Sequence, residues 1–170
     1  MRSTMLKIFP VETHKDIQIV QTLFVEYAEF LKKELCEYAD LPWLVDYYRD
    51  FEKETENLPD RYRPPEGAIW LARYNNQPAG CIALGRLSDG ICEMKRLFVR
   101  PKFHRKGIGT ALCKTLMEHA REVGYTHMRL ATALQIPRIL YNSLRFKKIA
   151  PYRDIPDELK DVVFMELKLV

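Results

Sequence analysis

Between Leu97 and Thr110 the chain runs Leu-Phe-Val, Arg-Pro, Lys-Phe-His-Arg-Lys and then Gly-Ile-Gly-Thr, and no other stretch restricts its fold as much. Leu97, Phe98 and Val99 have strand propensity, and Arg100-Pro101 closes the strand because proline has no N–H to give a ladder. After Gly107, the apolar residues Ile108, Ala111, Leu112, Leu116, Ala120 and Val123, with the Thr115 methyl, recur at helical spacing. Strand, basic turn, glycines and helix in that order make an anion site. The first turn of a helix has N–H groups without intrahelical acceptors, its dipole adds positive potential, and glycines let backbone approach a ligand closely. The stretch predicts a phosphate site, and hence a phosphorylated small molecule.

Three phosphate loops compete for this pattern. A Walker A loop needs Gly-x-x-x-x-Gly-Lys-Ser/Thr, which does not occur. A dinucleotide fingerprint needs a third glycine or alanine where Leu112 stands, and an acid closing the next strand, which reads Met128-Arg-Leu-Ala-Thr-Ala133. The third is the pyrophosphate loop of an acetyl-CoA-dependent acyltransferase. The sequence resembles the GNAT N-acetyltransferase superfamily, whose motif Gln/Arg-x-x-Gly-x-Gly/Ala is similar to His104-Arg105-Lys106-Gly107-Ile108-Gly109 behind Leu97-Phe98-Val99. His104 departs at the first position, which leaves the backbone donors untouched. Tyr141-Asn-Ser-Leu-Arg-Phe146 resembles the family's Tyr-x-x-Leu-Gly-Phe, with Arg145 in place of the glycine. A left-handed helix cap costs a non-glycine residue about 1–2 kcal/mol, so this helix is expected to end differently. The resemblance spans roughly residues 68 to 170, with the first helices fitting in outline.

The resemblance implies an α/β (α+β) fold: a mixed, mostly antiparallel sheet with splayed middle strands and about four helices on both faces. It implies one domain over residues 1–170 that moves an acetyl group from acetyl-CoA to a primary amine, without a metal. Backbone groups of Leu97, Phe98 and Val99 would hold the pantetheine arm, with the Leu97 N–H as oxyanion donor. His104, Arg105, Lys106, Gly107, Ile108, Gly109 and Thr110 would hold the phosphates, helped by the side chains of Arg100 and Lys102. Tyr141 would protonate the departing thiolate. An asparagine that the family often carries before this tyrosine has no equivalent among Leu134 to Pro137.

Deprotonation is the costly part of such a reaction. A lysine-like amine is neutral about once in 10³ at pH 7, which adds on the order of 4–5 kcal/mol to the barrier. Glu93 stands fourteen residues before Gly107, the offset of the catalytic glutamate in the histone-acetylating branch of the family. Burial beside apolar strands is expected to raise its pKa and suit it as the base. The competing expectation is a strand-end carboxylate paired with Lys95 or Arg96.

At 170 residues the chain has enough material for one core and too little for two. Four scattered cysteines form no Cys-x-x-Cys pair and fit reduced, structural thiols; Cys113, close to the anion loop, is the one to watch for reactivity. The sequence has neither a membrane-length apolar run nor a secretory apolar segment, so a cytoplasmic location is expected. A net charge of +4 suits an anionic ligand and is mild for nucleic acid.

In order, the chain predicts a strand at Met5 to Phe9 and a helix from the Thr13 cap toward Cys36. A second, aromatic helix follows from Asp40-Leu-Pro-Trp to about Glu56, with Trp43, Tyr47, Tyr48 and Phe51 as core or as an acceptor wall. Asn57 to Gly67 reads as a mobile surface loop, and Ala68–Tyr74 with Pro78–Leu84 as a hairpin. Gly124 caps the long helix before a strand at Thr126 to Ala133, Pro137 opens a short helix to Leu144, and Phe146–Ala150 and Val162–Leu169 are strands. An exposed final strand leaves room for a homodimer.

Acidic residues Glu26, Glu29, Glu34 and Asp46 in the first helices motivate a cationic acceptor, a small molecule or a peptide amine, against the plainer expectation that they are solvated helix faces. A second function class is an acyl-CoA-binding regulatory module with vestigial catalytic groups, motivated by His104, Arg145 and the missing asparagine. Nucleic-acid binding through Arg100 to Lys106 is disfavoured, because Phe103 is the single stacking ring in that run.

Overall fold

A computed structural model describes residues 5–170. Strand-forming runs and short turns build one seven-stranded sheet in the order β1-β2-β3-β4-β5-β7-β6. The strands are β1 Leu6–Pro10, β2 Ala68–Tyr74, β3 Gln77–Ser88, β4 Ile91–Val99, β5 His127–Thr132, β6 Lys147–Ile149 and β7 Val163–Lys168. Every neighbouring pair is antiparallel except β4 and β5, which are parallel. Asn75 and Asn76 both take positive φ (49° and 67°), the conformation a tight hairpin needs to match strand twist.

Two helical layers cover the sheet. Helices α1 His14–Glu34 and α2 Pro42–Glu56 pack on one face, where Val20, Leu23, Phe24 and Phe51 meet Leu71, Cys81 and Ala83. The Thr13 hydroxyl caps α1 by accepting from the Asp16 N–H at 3.1 Å, and Pro42 occupies the first turn of α2, as expected. On the other face α3, Ile108–Val123, buries Ile108, Leu112, Cys113, Leu116, Met117 and Ala120 against Ile82, Leu84, Met94 and Met128. Its C-terminus closes at Gly124. Helix α4, Gln135–Ser143, contributes Tyr141 to the same cluster. Among the described residues no helix is long and apolar enough to cross a membrane.

Three expectations change. Asn57 to Gly67 is pinned, because Leu58 and Tyr62 enter the core and a Cβ on Gly67 would lie 2.7 Å from Tyr62 backbone. The final strand is not a free edge: β7 pairs with β5 on one side and β6 on the other, leaving β6 as the edge. Arg145 does adopt the left-handed conformation (φ 73°). The Phe146 N–H bonds the Tyr141 carbonyl at 3.0 Å and the Arg145 N–H bonds Asn142 at 3.0 Å, so α4 ends as a glycine-capped helix does. The Tyr141 and Phe146 rings, 5.9 Å apart, supply the apolar contact that accompanies this cap and holds arginine in a strained backbone.

Candidate active site

The sheet opens in its middle. Strands β4 and β5 pair only where Ile91, Cys92 and Glu93 face His127, Met128 and Arg129, although β4 continues to Val99 and β5 to Thr132. A bulge in β4 coincides with the opening. Cys81 faces Phe98 and Ala83 faces Lys95, so Ile82 alone opposes both Arg96 and Leu97, and Arg96 takes a left-handed φ of 59°. An inserted residue bends its strand, here away from β5. A buried cluster holds the strained residue in place. Arg96 donates to both Glu54 oxygens at 2.7 and 3.2 Å and to the Tyr47 hydroxyl at 2.8 Å, and its guanidinium lies 4.0 Å from the centre of the Phe51 ring.

At the top of the gap stands the predicted anion corner. Arg105 (φ 62°) and Gly107 (φ 75°) turn the chain into α3, whose first internal bond runs from the Ala111 N–H to Gly107 at 3.0 Å. Among the described residues, the N–H groups from Arg105 to Thr110 have no protein acceptor. A Cβ at Gly107 would meet nothing within 4 Å, so this side of the loop is open. Gly109 brings the helix start to Val99 and Leu140, 3.9 and 3.6 Å from where its Cβ would be. These residues fit a diphosphate through backbone donors alone.

The basic side chains divide. Lys102 and Lys106 lie over Phe103 and Tyr74, 5.0 and 5.2 Å from the ring centres, beside the corner. Arg100, expected beside the diphosphate, is engaged on α1 instead, donating to both Glu26 oxygens at 3.0 and 2.7 Å. That pairing also takes Glu26 out of the acidic set assigned to a cationic acceptor. Glu29 and Asp46 pair on their own helices with Lys32 and Arg49, and Glu34 is exposed. His104 folds back so that its Nε2 is 2.8 Å from the Val99 carbonyl. The Arg100 N–H bonds Ala79 across the ladder, and antiparallel bonding alternates, so the Val99 N–H and carbonyl point into the gap. His104 therefore occupies one of the backbone groups assigned to the pantetheine arm.

Tyr141 sits where both helical layers reach the opening. It is buried, and burial first, then the nearby Cys113 of α3 and Tyr27 of α1, hold its phenol well above the usual range. Its proton is firmly retained. Cys113 is itself buried and its thiol is pushed up to about 12, which agrees with the structural role expected of it.

Glu93 lies on the last paired register before the strands separate. Burial alone pushes its pKa up, but the Lys95 charge and hydrogen bonds from Arg153 and Tyr152 outweigh it and hold the carboxyl below the usual range. The direction is opposite to the sequence expectation. The Tyr152 hydroxyl donates to Oε2 at 2.7 Å, Arg153 donates to the same oxygen, and Lys95 Nζ is 3.7 Å from Oε1. Sequence reasoning found the Lys95 partner and missed Tyr152, Arg153 and Glu54. Tyr152 and Arg153 lie in a segment with no periodic pattern. Glu54 had a signal: with Tyr47 and Phe51 it falls at i, i+4, i+7 on the buried stripe of α2.

Comparison with known proteins agrees with this geometry. Residues 28–137 match the model of the acetyltransferase (GNAT) family. An uncharacterized N-acetyltransferase of Schizosaccharomyces pombe is 30% identical over 99% of this chain and 98% of its own length. A GNAT-family acetyltransferase from Staphylococcus aureus Mu50 superposes with a TM-score of 0.73 at 21% identity, over 98% of this chain and 100% of its own. The PaiA N-acetyltransferase of Thermoplasma acidophilum, solved in complex with coenzyme A, gives 0.71 at 18% identity, over 96% and 99% of the two chains. A sheet split beside a helix N-terminus with free amides, a family model across the middle of the chain and a full-length relative agree: the chain belongs to the GNAT family of acetyltransferases.

Proposed function

We propose that the protein transfers the acetyl group of acetyl-CoA to a primary amine by direct attack within the gap between β4 and β5. The unpaired amides from Arg105 to Thr110 at the mouth of that gap carry the reading. Among the described residues they are donors that neither side chains nor the helix satisfy, and a diphosphate matches them in charge and reach. The thioester supplies an electrophilic carbonyl and a thiolate leaving group, so the C–N bond forms as the C–S bond breaks. Leu97, Phe98 and Val99 offer strand-edge groups to the pantetheine arm once the His104 ring rotates off the Val99 carbonyl. Tyr141 keeps its proton until a thiolate beside it takes it.

Glu93 stays ionised, with Oε2 shared by Tyr152 and Arg153. Its role is to receive the amine proton through a water rather than by direct contact. The test is thiol release from acetyl-CoA against a panel of primary amines, with coenzyme A binding measured separately. Binding without transfer to any amine sinks the reading. It would favour an acyl-CoA-responsive module instead, a possibility supported by the His104 contact with Val99.

A further inference from the structure

The floor of the gap on the α2 side carries five cations, Arg61, Lys95, Arg96, Arg129 and Arg153, against three carboxylates, Glu54, Glu93 and Glu166. All three carboxylates are committed. Arg96 and Arg61 hold Glu54, Tyr152 and Arg153 hold Glu93, and Arg129 holds Glu166 at 2.7 Å. Among the described residues, Glu93 is left to take up the proton of the reacting amine, and no acid on this floor is without a partner to hold a further positive charge on an acceptor.

Lys95 is in the opposite condition. Its side chain is 19% exposed, the Glu93 carboxylate beside it is 3.7 Å away, and Nζ makes no hydrogen bond among the described residues. Three donors on a largely desolvated ammonium are left to whatever enters the gap. Arg153 shares Glu93 with Lys95, and Arg153 and Arg129 lie 5.1 and 5.4 Å from the centre of the Tyr152 ring. Each uses one donor on a carboxylate and keeps others. Lys95 stands two residues before Leu97 on β4, across the bulge at Arg96, so a carboxylate on its ammonium and a thioester at Leu97 lie within the reach of one small molecule. An acid and an amine a few bonds apart can therefore be held together, one on Lys95 and the other facing the thioester.

Resting on the transferase reading above, we propose that the acceptor is an amine bearing a carboxylate, and that Lys95, assisted by Arg153, binds that carboxylate and sets acceptor specificity. The site takes an amino acid or the terminus of a very short peptide in preference to a plain amine or a polyamine.

The experiment pairs acids with their neutral amides: β-alanine with β-alaninamide, glycylglycine with glycylglycinamide, and ethylamine as the plain amine. Thiol release should show kcat/KM at least tenfold higher for one or both acids than for the matched amides. Lys95→Met should shrink that preference to within about twofold by raising KM for the acid alone, any change it makes at Glu93 falling on the kcat of acid and amide alike, and Lys95→Arg should restore part of the preference. Arg153→Gln, on a half-exposed side chain, should give the same pattern more weakly and covers the case in which Lys95→Met fails to fold. A purely structural Lys95 would lower both series together. Equal turnover of acids and amides, or parallel losses in Lys95→Met, overturns this proposal and leaves the transferase reading intact. Coenzyme A binding with no transfer to any probe overturns both.

Discussion

The two ends of the gap are built by opposite means. The corner from Arg105 to Thr110 is one contiguous stretch whose chemistry is backbone N–H groups, a left-handed glycine and a helix start, with no side-chain cap. The floor is assembled from side chains of α2, the turn that follows it, β4, β5, β7 and the segment after β6, and its ions other than Lys95 satisfy one another. A backbone site tolerates drift in side-chain identity, as at His104, because its donors do not depend on it. A side-chain site depends on which distant side chains meet, and its buried members are costly to remove because their partners are left charged and buried.

The largest effect should come from the floor. Glu54→Gln leaves the Arg96 guanidinium without its carboxylate beneath α2, and a loss of about 3–5 kcal/mol at pH 7 is expected in urea unfolding. Burial pushes the Glu54 carboxyl up, but hydrogen bonds and charge from Arg96 more than offset it, so its folded pKa lies below its unfolded value near 4.5. Its contribution is therefore complete above that pH and is lost as pH falls through the folded value. The variant should lose less stability than the parent between pH 5 and pH 2.5. A loss under 1 kcal/mol at pH 7 would erase the contrast between floor and corner.

Tyr141→Phe tests the junction of the two. Its hydroxyl has no protein partner among the described residues, so melting temperature and coenzyme A affinity should stay unchanged while kcat falls about 100-fold. A fall in stability with kcat preserved would make Tyr141 a packing residue. Gly107→Ala probes the corner without a clash, since its Cβ has open space, and the left-handed backbone should cost about 1–2 kcal/mol in unfolding. Weaker binding of coenzyme A, by titration calorimetry, should accompany it. The smallest change should be a gain. Arg145→Gly relieves strain at φ 73° in a cap that is already formed, and about 1 kcal/mol of added stability is expected, read as a higher urea midpoint.

The amino-acid order alone determined the corner, both long helices, the hairpin and the place of Tyr141, because each rests on interactions within about ten residues: helical periodicity, Thr13 capping, the tight Asn75-Asn76 turn, and glycine after a proline-terminated strand. It also read Arg145 as a broken cap. Packing of Phe146 on Tyr141 decided otherwise, since a contact across the cap offsets the local strain. Only the tertiary structure decided the sign of the Glu93 shift, the loss of Arg100 to Glu26, and the join of Arg96 to Glu54 across forty-two positions. An ionisable group's energy is set by whichever charges folding brings near it, and no local pattern records which distant side chains those will be.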